Sequence, residues 1–174
     1  NSIVSHSDTE KCRHSVELWS TTAGCIVEHN TVRDDTSSSL DTHGSWNKGV
    51  IIRHNTISND GLLLSPDLGG MPDAIRIGNN RFWLDEDIQV LDNTVTGYRG
   101  AALSVVPGSR RVTVDGLVCA DVNRVLQITR NWRHPALFCE DVVVRNVTAD
   151  DIRDRITEVS NSSGRVVVRG LTLE

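Results

Sequence analysis

The chain has 174 residues, 38% of them apolar, and 23 acidic against 18 basic side chains give a formal net charge of −5. That length suits one domain, and the acidic balance argues against a nucleic-acid binder, which carries a basic excess. No apolar run is long enough to span a membrane, and no signal peptide is visible.

The apolar residues are mainly Val, Ile and Leu, and aromatics make up only 4%. β-Branched side chains favour strands. The sequence begins at Asn1 rather than Met, so a mature form or an excised piece is expected. None of the four cysteines, Cys12, Cys25, Cys119 and Cys139, forms a CxxC pair, so a cysteine zinc site is not expected. Cys25 falls on a core position, and spacing alone leaves disulfide pairing open. Asn146-Val-Thr and Asn161-Ser-Ser are glycosylation sequons, a pattern common by chance.

The first segment carries Arg13, His14, Glu17 and Trp19. At Cys25 a unit begins that recurs along the chain: Cys25-Ile-Val-Glu-His-Asn-Thr-Val, Val50-Ile-Ile-Arg-His-Asn-Thr-Ile, and Ile88-Gln-Val-Leu-Asp-Asn-Thr-Val. Val112-Thr-Val-Asp-Gly-Leu-Val, Val142-Val-Val-Arg-Asn-Val-Thr and Val166-Val-Val-Arg-Gly-Leu-Thr continue it. Each is a short β-rich strand followed by a polar turn. The starts are 25, 38, 24, 30 and 24 residues apart. Repeats of roughly 20 to 50 residues mark solenoids.

A second strand follows each first strand at a near-constant offset. Leu40 lies 15 residues after Cys25 and Leu103 15 after Ile88, while Leu126 and Ile156 lie 14 after Val112 and Val142. Ile75 lies 25 after Val50, which places an insertion at about 58–73; a second falls at about 129–136. The same rule assigns Leu18 to an incomplete first coil. The expected fold is all-β: a right-handed parallel β-helix of about six to seven coils with a period near 24 residues, one domain over 1–174. Asn30, Asn55, Asn93 and Asn146 fall at matching turn positions, where Asn tolerates a left-handed corner and can form an amide ladder. His29 and His54 also match and read as a stacked turn pair rather than ligands.

The coils resemble the pectate-lyase-like superfamily, which includes polysaccharide lyases, polygalacturonase-type hydrolases, alginate epimerases and phage tailspike depolymerases. Leu40-Asp41-Thr42-His43, ahead of a β-strand and a polar turn, is similar to the Asp-Pro-His segment of mannuronan C5-epimerases, with Thr42 at the place of its Pro. Arg13-His14 followed by Asp41-Thr-His43 resembles a pattern in β-helix depolymerases. The resemblance covers the whole chain as coils, but only residues 12–57 as motifs. It implies a secreted or virion-associated protein whose partner is a polysaccharide.

Alternate strand residues face opposite sides. With Leu40 and Thr42 inward, Asp41 and His43 face solvent. The offsets set Trp19, Asp41 and Arg76 in an outward row on coils about 4.8 Å apart, flanked by Glu17 and His43. In such a row Arg76 or Arg13 can neutralise a uronate carboxylate and acidify the proton at C5. His43 can take that proton, since imidazole titrates near neutrality. Asp41 orients His43, Trp19 or Trp46 stacks on the sugar, and His14 or Tyr98 protonates the leaving oxygen. The expected chemistry is β-elimination on an acidic polysaccharide, with C5-epimerisation as one alternative. Paired Glu17 and Asp41 would suit a hydrolase instead. A solvated strand pair is the plainer reading of Asp41 and His43.

No metal ligands are assigned to this row. Asp85-Glu86-Asp87 offers oxygen donors for Ca2+, against the plainer reading of a solvated turn. The insertion with Gly61, Pro66, Gly69, Gly70 and Pro72 can wall a groove, and Trp132-Arg-His134 can offer a stacking platform or pack on the coil. A β-helix end exposes strand edges and core, and no amphipathic capping helix is visible at either end. The expectation is a longer chain with further domains, or a homo-oligomer that covers the ends. A non-catalytic glycan-binding or shaft module of an adhesin or tail protein is the rival reading.

Overall fold

A computed structural model describes residues 2–19, 23–43, 46–60, 72–78, 85–128, 137–159 and 164–173. The residues between these, including most of the insertion at 58–73 and all of that at 129–136, lie outside the described residues. From the N-terminus the strands are β1 (Ile3–Ser5), β2 (Asp8–Glu10), β3 (Val16–Glu17), β4 (Ile26–Glu28), β5 (Thr31–Arg33), β6 (Leu40–Asp41), β7 (Ile51–Arg53) and β8 (Thr56–Ser58). Then come β9 (Ile75–Ile77), β10 (Glu86–Leu91), β11 (Thr94–Thr96), β12 (Ala101–Val105), β13 (Arg110–Asp115), β14 (Val118–Ile128), β15 (Glu140–Val159) and β16 (Val166–Leu173).

The protein is all-β, and its strands pair in parallel with strands about one repeat away in sequence. This is compatible with a parallel β-helix. The first row runs β1-β4-β7-β10-β13-β15-β16. Its register places Ile26 against Ile51, Ile51 against Gln89, Val112 against Val142 and Val142 against Val166. The six aligned repeats therefore stack as the sequence predicts. One more copy precedes them, with Ile3 opposite Ile26.

Alternation explains why these residues make strands. Cys25, Val50, Ile88, Val112 and Val142 form one buried column; Val27, Ile52, Val90, Val114 and Val144 form a second. The residues between them, Ile26, Ile51, Gln89, Thr113 and Val143, are less buried and point to the other face, as a period of two requires. At roughly 25 cal/mol per Å² of apolar surface, each such Val or Ile contributes about 1.5–3 kcal/mol on burial. Side chains at the first and last coils are more open: Ile3 and Leu173 are exposed.

The structure adds a row that the offsets did not show. Thr31, Thr56, Thr94, Val118, Thr148 and Thr172 lie in register, so three strands rather than two repeat together. These short segments read as polar turn because each brings few inward apolar residues, such as Val32, Ile57 and Val95. The remaining row, β3-β6-β9-β12, continues into the later parts of β14 and β15. Leu40, Ile75, Leu103 and Leu126 align in it as expected.

Two assignments in that row are corrected. Val16, not Leu18, pairs with Leu40; a slip of two residues keeps the same face outward. Thr157, not Ile156, pairs with Leu126, because the register shifts between Val122 and Arg124.

The corner between the first two rows has a simple construction. His6, His29, His54, Asp92, Gly116, Asn146 and Gly170 all have positive φ. The left-handed residue is thus the one before Asn30, Asn55 and Asn93, and Asn146 belongs with His54 rather than Asn55. Asn30, Asn55 and Asn93 are buried and bond in a ladder. The Asn30 side chain donates to Asn55 Oδ1 at 3.0 Å, and that of Asn55 to Asn93 Oδ1 at 2.9 Å. Outside the ladder His6, His29 and His54 stack with centroids 5.3 and 5.0 Å apart. All four cysteines are free thiols; burial raises Cys119 and Cys139 to about 12. Among the described residues no helix is long and apolar enough to cross a membrane.

Candidate functional site

The third row carries the candidate residues. Glu17 lies opposite Asp41 and Asp41 opposite Arg76, followed by Ser104, Gln127 and Glu158. Glu17 thus takes the position expected for Trp19. Trp19, two residues further on, lies over His43 with ring centroids 4.9 Å apart. Trp19 is exposed, so one flank of the imidazole is covered by an open indole.

Asp41 was expected to face solvent and is instead buried, at 2% exposure. It does point away from the Leu40 side, but His14, Glu17 and His43 crowd it. His43 Nδ1 lies 3.1 Å from Asp41 Oδ2 and 3.6 Å from Glu17 Oε1. His14 Nδ1 lies 3.9 Å from Asp41 Oδ2, and its Nε2 lies 4.0 Å from Glu17 Oε1. The two imidazoles meet edge to face at 6.3 Å. Asp41 Oδ1 is buried and accepts no hydrogen bond among the described residues; Arg76 Nε is buried and donates none.

The backbone around this cluster is pinned from inside. His14 Nδ1 donates to the Ser38 carbonyl at 2.7 Å, since only the ring nitrogen can supply the proton. The turn before β3 is tied to Asp35, which accepts from the Cys12 amide at 3.0 Å and from Ser15 Oγ at 2.6 Å. Burial pushes the Asp35 carboxyl up. Thr42 points inward and donates to Asp85 Oδ2 at 2.6 Å, while the Gly78 amide donates to Thr42 Oγ1 at 2.8 Å. Asp85 Oδ1 accepts from the Asn47 amide at 3.1 Å. Burial raises Asp85 to about 6.

Sequence reading missed the supporting roles of Asp35, Ser38 and Asp85. Ser38 acts through its carbonyl, which leaves no side-chain signature. Asp85 stood out in the sequence only as part of an acidic run. Within that run Asp85 bonds inward to Thr42, Glu86 pairs with Arg110 and Arg111, and Asp87 pairs with Arg111.

Tyr98 is enclosed in the core, its hydroxyl bonded to Ser39 Oγ, and burial pushes its pKa up. This removes it from the surface that bears His43. Arg13 is exposed on the turn before β3 and makes no hydrogen bond or ion pair among the described residues. Trp46 is exposed beside buried Asn47. Trp132 and His134 lie outside the described residues.

One donor atom from each of His14, Glu17 and Asp41 lies within 4.8 Å of the other two, the one such group among the described residues. The cluster thus offers two imidazoles, two carboxylates, a neighbouring guanidinium and an open indole. No family model, curated protein or solved structure matches the chain. Its function is therefore argued from this geometry.

Proposed function

We propose that the protein is a right-handed parallel β-helix that cleaves an acidic, uronate-containing polysaccharide by β-elimination. The observation that carries this reading is the His43–Asp41 hydrogen bond, set between the Trp19 ring and the Arg76 strand. Nδ1 of His43 donates to Asp41, so in the neutral ring Nε2 carries the lone pair of a general base.

In this mechanism Arg76 faces the uronate carboxylate and acidifies the proton on C5. His43 Nε2 takes that proton. The electron pair forms the C4–C5 double bond, the bond from C4 to the glycosidic oxygen breaks, and the oxygen takes a proton from water. Trp19 supplies an apolar face against the sugar. C5-epimerisation begins with the same abstraction and ends with reprotonation from the opposite face. The hydrolase reading is weaker, because buried Asp41 is spent on His43. The reading carries with it a secreted or virion-associated setting and a polysaccharide partner.

The test is incubation with a panel of uronate polysaccharides, following ultraviolet absorbance of the unsaturated product and new reducing ends. A rise in both that disappears in His43→Ala supports β-elimination. Reducing ends without absorbance point to hydrolysis. Neither signal, with saturable glycan binding, makes this a binding module of a larger adhesin or tail protein.

A further inference from the structure

We propose that His14, Glu17 and Asp41 form a binding site for one divalent cation of the zinc or manganese class. Three observations point the same way. The first is spacing. Around a centre with bonds of about 2.1 Å, adjacent ligands lie about 3 Å apart and opposite ones about 4.2 Å apart. His14 Nε2 stands 4.0 Å from Glu17 Oε1, and one donor atom from each of His14, Glu17 and Asp41 lies within 4.8 Å of the other two. Small side-chain rotations bring them onto one ion.

The second is an unsatisfied atom. Asp41 is 2% exposed, its Oδ2 accepts from His43, and its Oδ1 is buried with no hydrogen-bond partner among the described residues. Leaving a buried carboxylate oxygen without a partner forfeits its hydration with nothing in return, and such a group calls for a physical reason. A cation bound at Oδ1 removes the cost and leaves the His43 bond intact.

The third is orientation. His14 Nδ1 donates to the Ser38 carbonyl, which fixes the tautomer and leaves Nε2 as the metal-binding nitrogen. A backbone carbonyl on the second ring nitrogen is the usual support of a metal-bound imidazole. His43 supports the Asp41 carboxylate in the same way.

The donor set selects the ion. Calcium and magnesium favour all-oxygen shells, whereas imidazole with carboxylates suits zinc, manganese and their neighbours. Three protein ligands leave a position open to water or to a ligand oxygen. The site stands independently of the polysaccharide reading. If both hold, the ion adds positive charge close to Arg76 for an incoming carboxylate.

The experiment is titration calorimetry of chelator-treated protein with Zn2+, Mn2+, Ca2+ and Mg2+, in the absence of any glycan. Co2+ absorption reports the coordination. The expected result is one Zn2+ per chain, weakened more than about 100-fold in Glu17→Gln and in His14→Ala. His29→Ala, which alters the stacked corner, leaves it unchanged. Circular dichroism verifies that each variant is folded. Absence of saturable binding, equal affinity in Glu17→Gln, preference for Ca2+, or loss of binding in His29→Ala alone would overturn the proposal. Cation binding with no polysaccharide cleavage would keep this site and reject the lyase reading.

Discussion

His43 Nδ1 donates to Asp41 Oδ2 at 3.1 Å, across two residues of one chain segment. Residues i and i+2 share a face of a strand, so the pair follows from local geometry. What the bond decides is the tautomer: with Nδ1 protonated, Nε2 is the basic nitrogen. Replacing His43 with Ala is expected to lower kcat/KM on the cleaved polysaccharide by about 10²–10⁴-fold. Asp41→Asn is expected to lower it comparably, because its amide can donate to Nδ1 and move the ring proton to Nε2. Steady-state rates of product absorbance read both, and an unchanged rate in either variant rejects the assigned role.

The asparagine ladder is expected to carry a measurable share of stability. Asn55 accepts from the Asn30 amide and side chain, and donates to the Val27 carbonyl and to Asn93 Oδ1. Asn55→Ala leaves the Asn30 amide, the Val27 carbonyl and Asn93 Oδ1 each short of a partner in a buried place. The expected loss is about 3 kcal/mol or more. Urea unfolding measures it, and a loss under about 1 kcal/mol would show that the ladder contributes little.

Asp85 makes stability depend on pH in a defined window. Its folded pKa, about 6, lies above its ordinary 3.8, so between these values the folded chain holds the proton more strongly than the unfolded chain. The contribution is fully present below about pH 4 and is lost as pH rises through about 6. The expected decline from this group is on the order of 3 kcal/mol. Asp85→Asn removes the titration, so the difference in unfolding free energy between variant and parent shifts across this window. A difference that stays flat from pH 4 to 7 would contradict it.

Two glycines with positive φ are expected to respond unequally. A Cβ on Gly97 would lie 1.7 Å from the Asn59 carbonyl oxygen, whereas one on Gly49 would meet nothing nearer than 3.9 Å. Gly49→Ala carries only the left-handed penalty, about 1–2 kcal/mol. Gly97→Ala adds a backbone collision and is expected to exceed about 4 kcal/mol. Thermal unfolding of the two variants in parallel checks the order.

The first-row repeat was legible because side-chain alternation and the near-constant period are written in residue identity. Val50, Ile88, Val112 and Val142 stack as their spacing predicts, and so do Leu40, Ile75, Leu103 and Leu126. The Thr-Val and Thr-Ile segments were not legible as strands. One inward apolar residue among polar ones looks like a turn until its neighbours are stacked on it.

The candidate site divides in the same manner. Sequence alone placed Asp41 and His43 together on one face, and set Arg76 opposite Asp41, because each depends only on alternation and register. It could not show that Asp41 is buried, that Glu17 rather than Trp19 is its strand neighbour, or that His14 turns toward it. Those depend on where a two-residue slip falls, and on side chains from loops such as 12–15 and 85, far away in the chain. Repeat period is a one-dimensional property that residue order determines. Burial, and with it the enclosure of Asp41, is decided only when separate coils close over the same point in space.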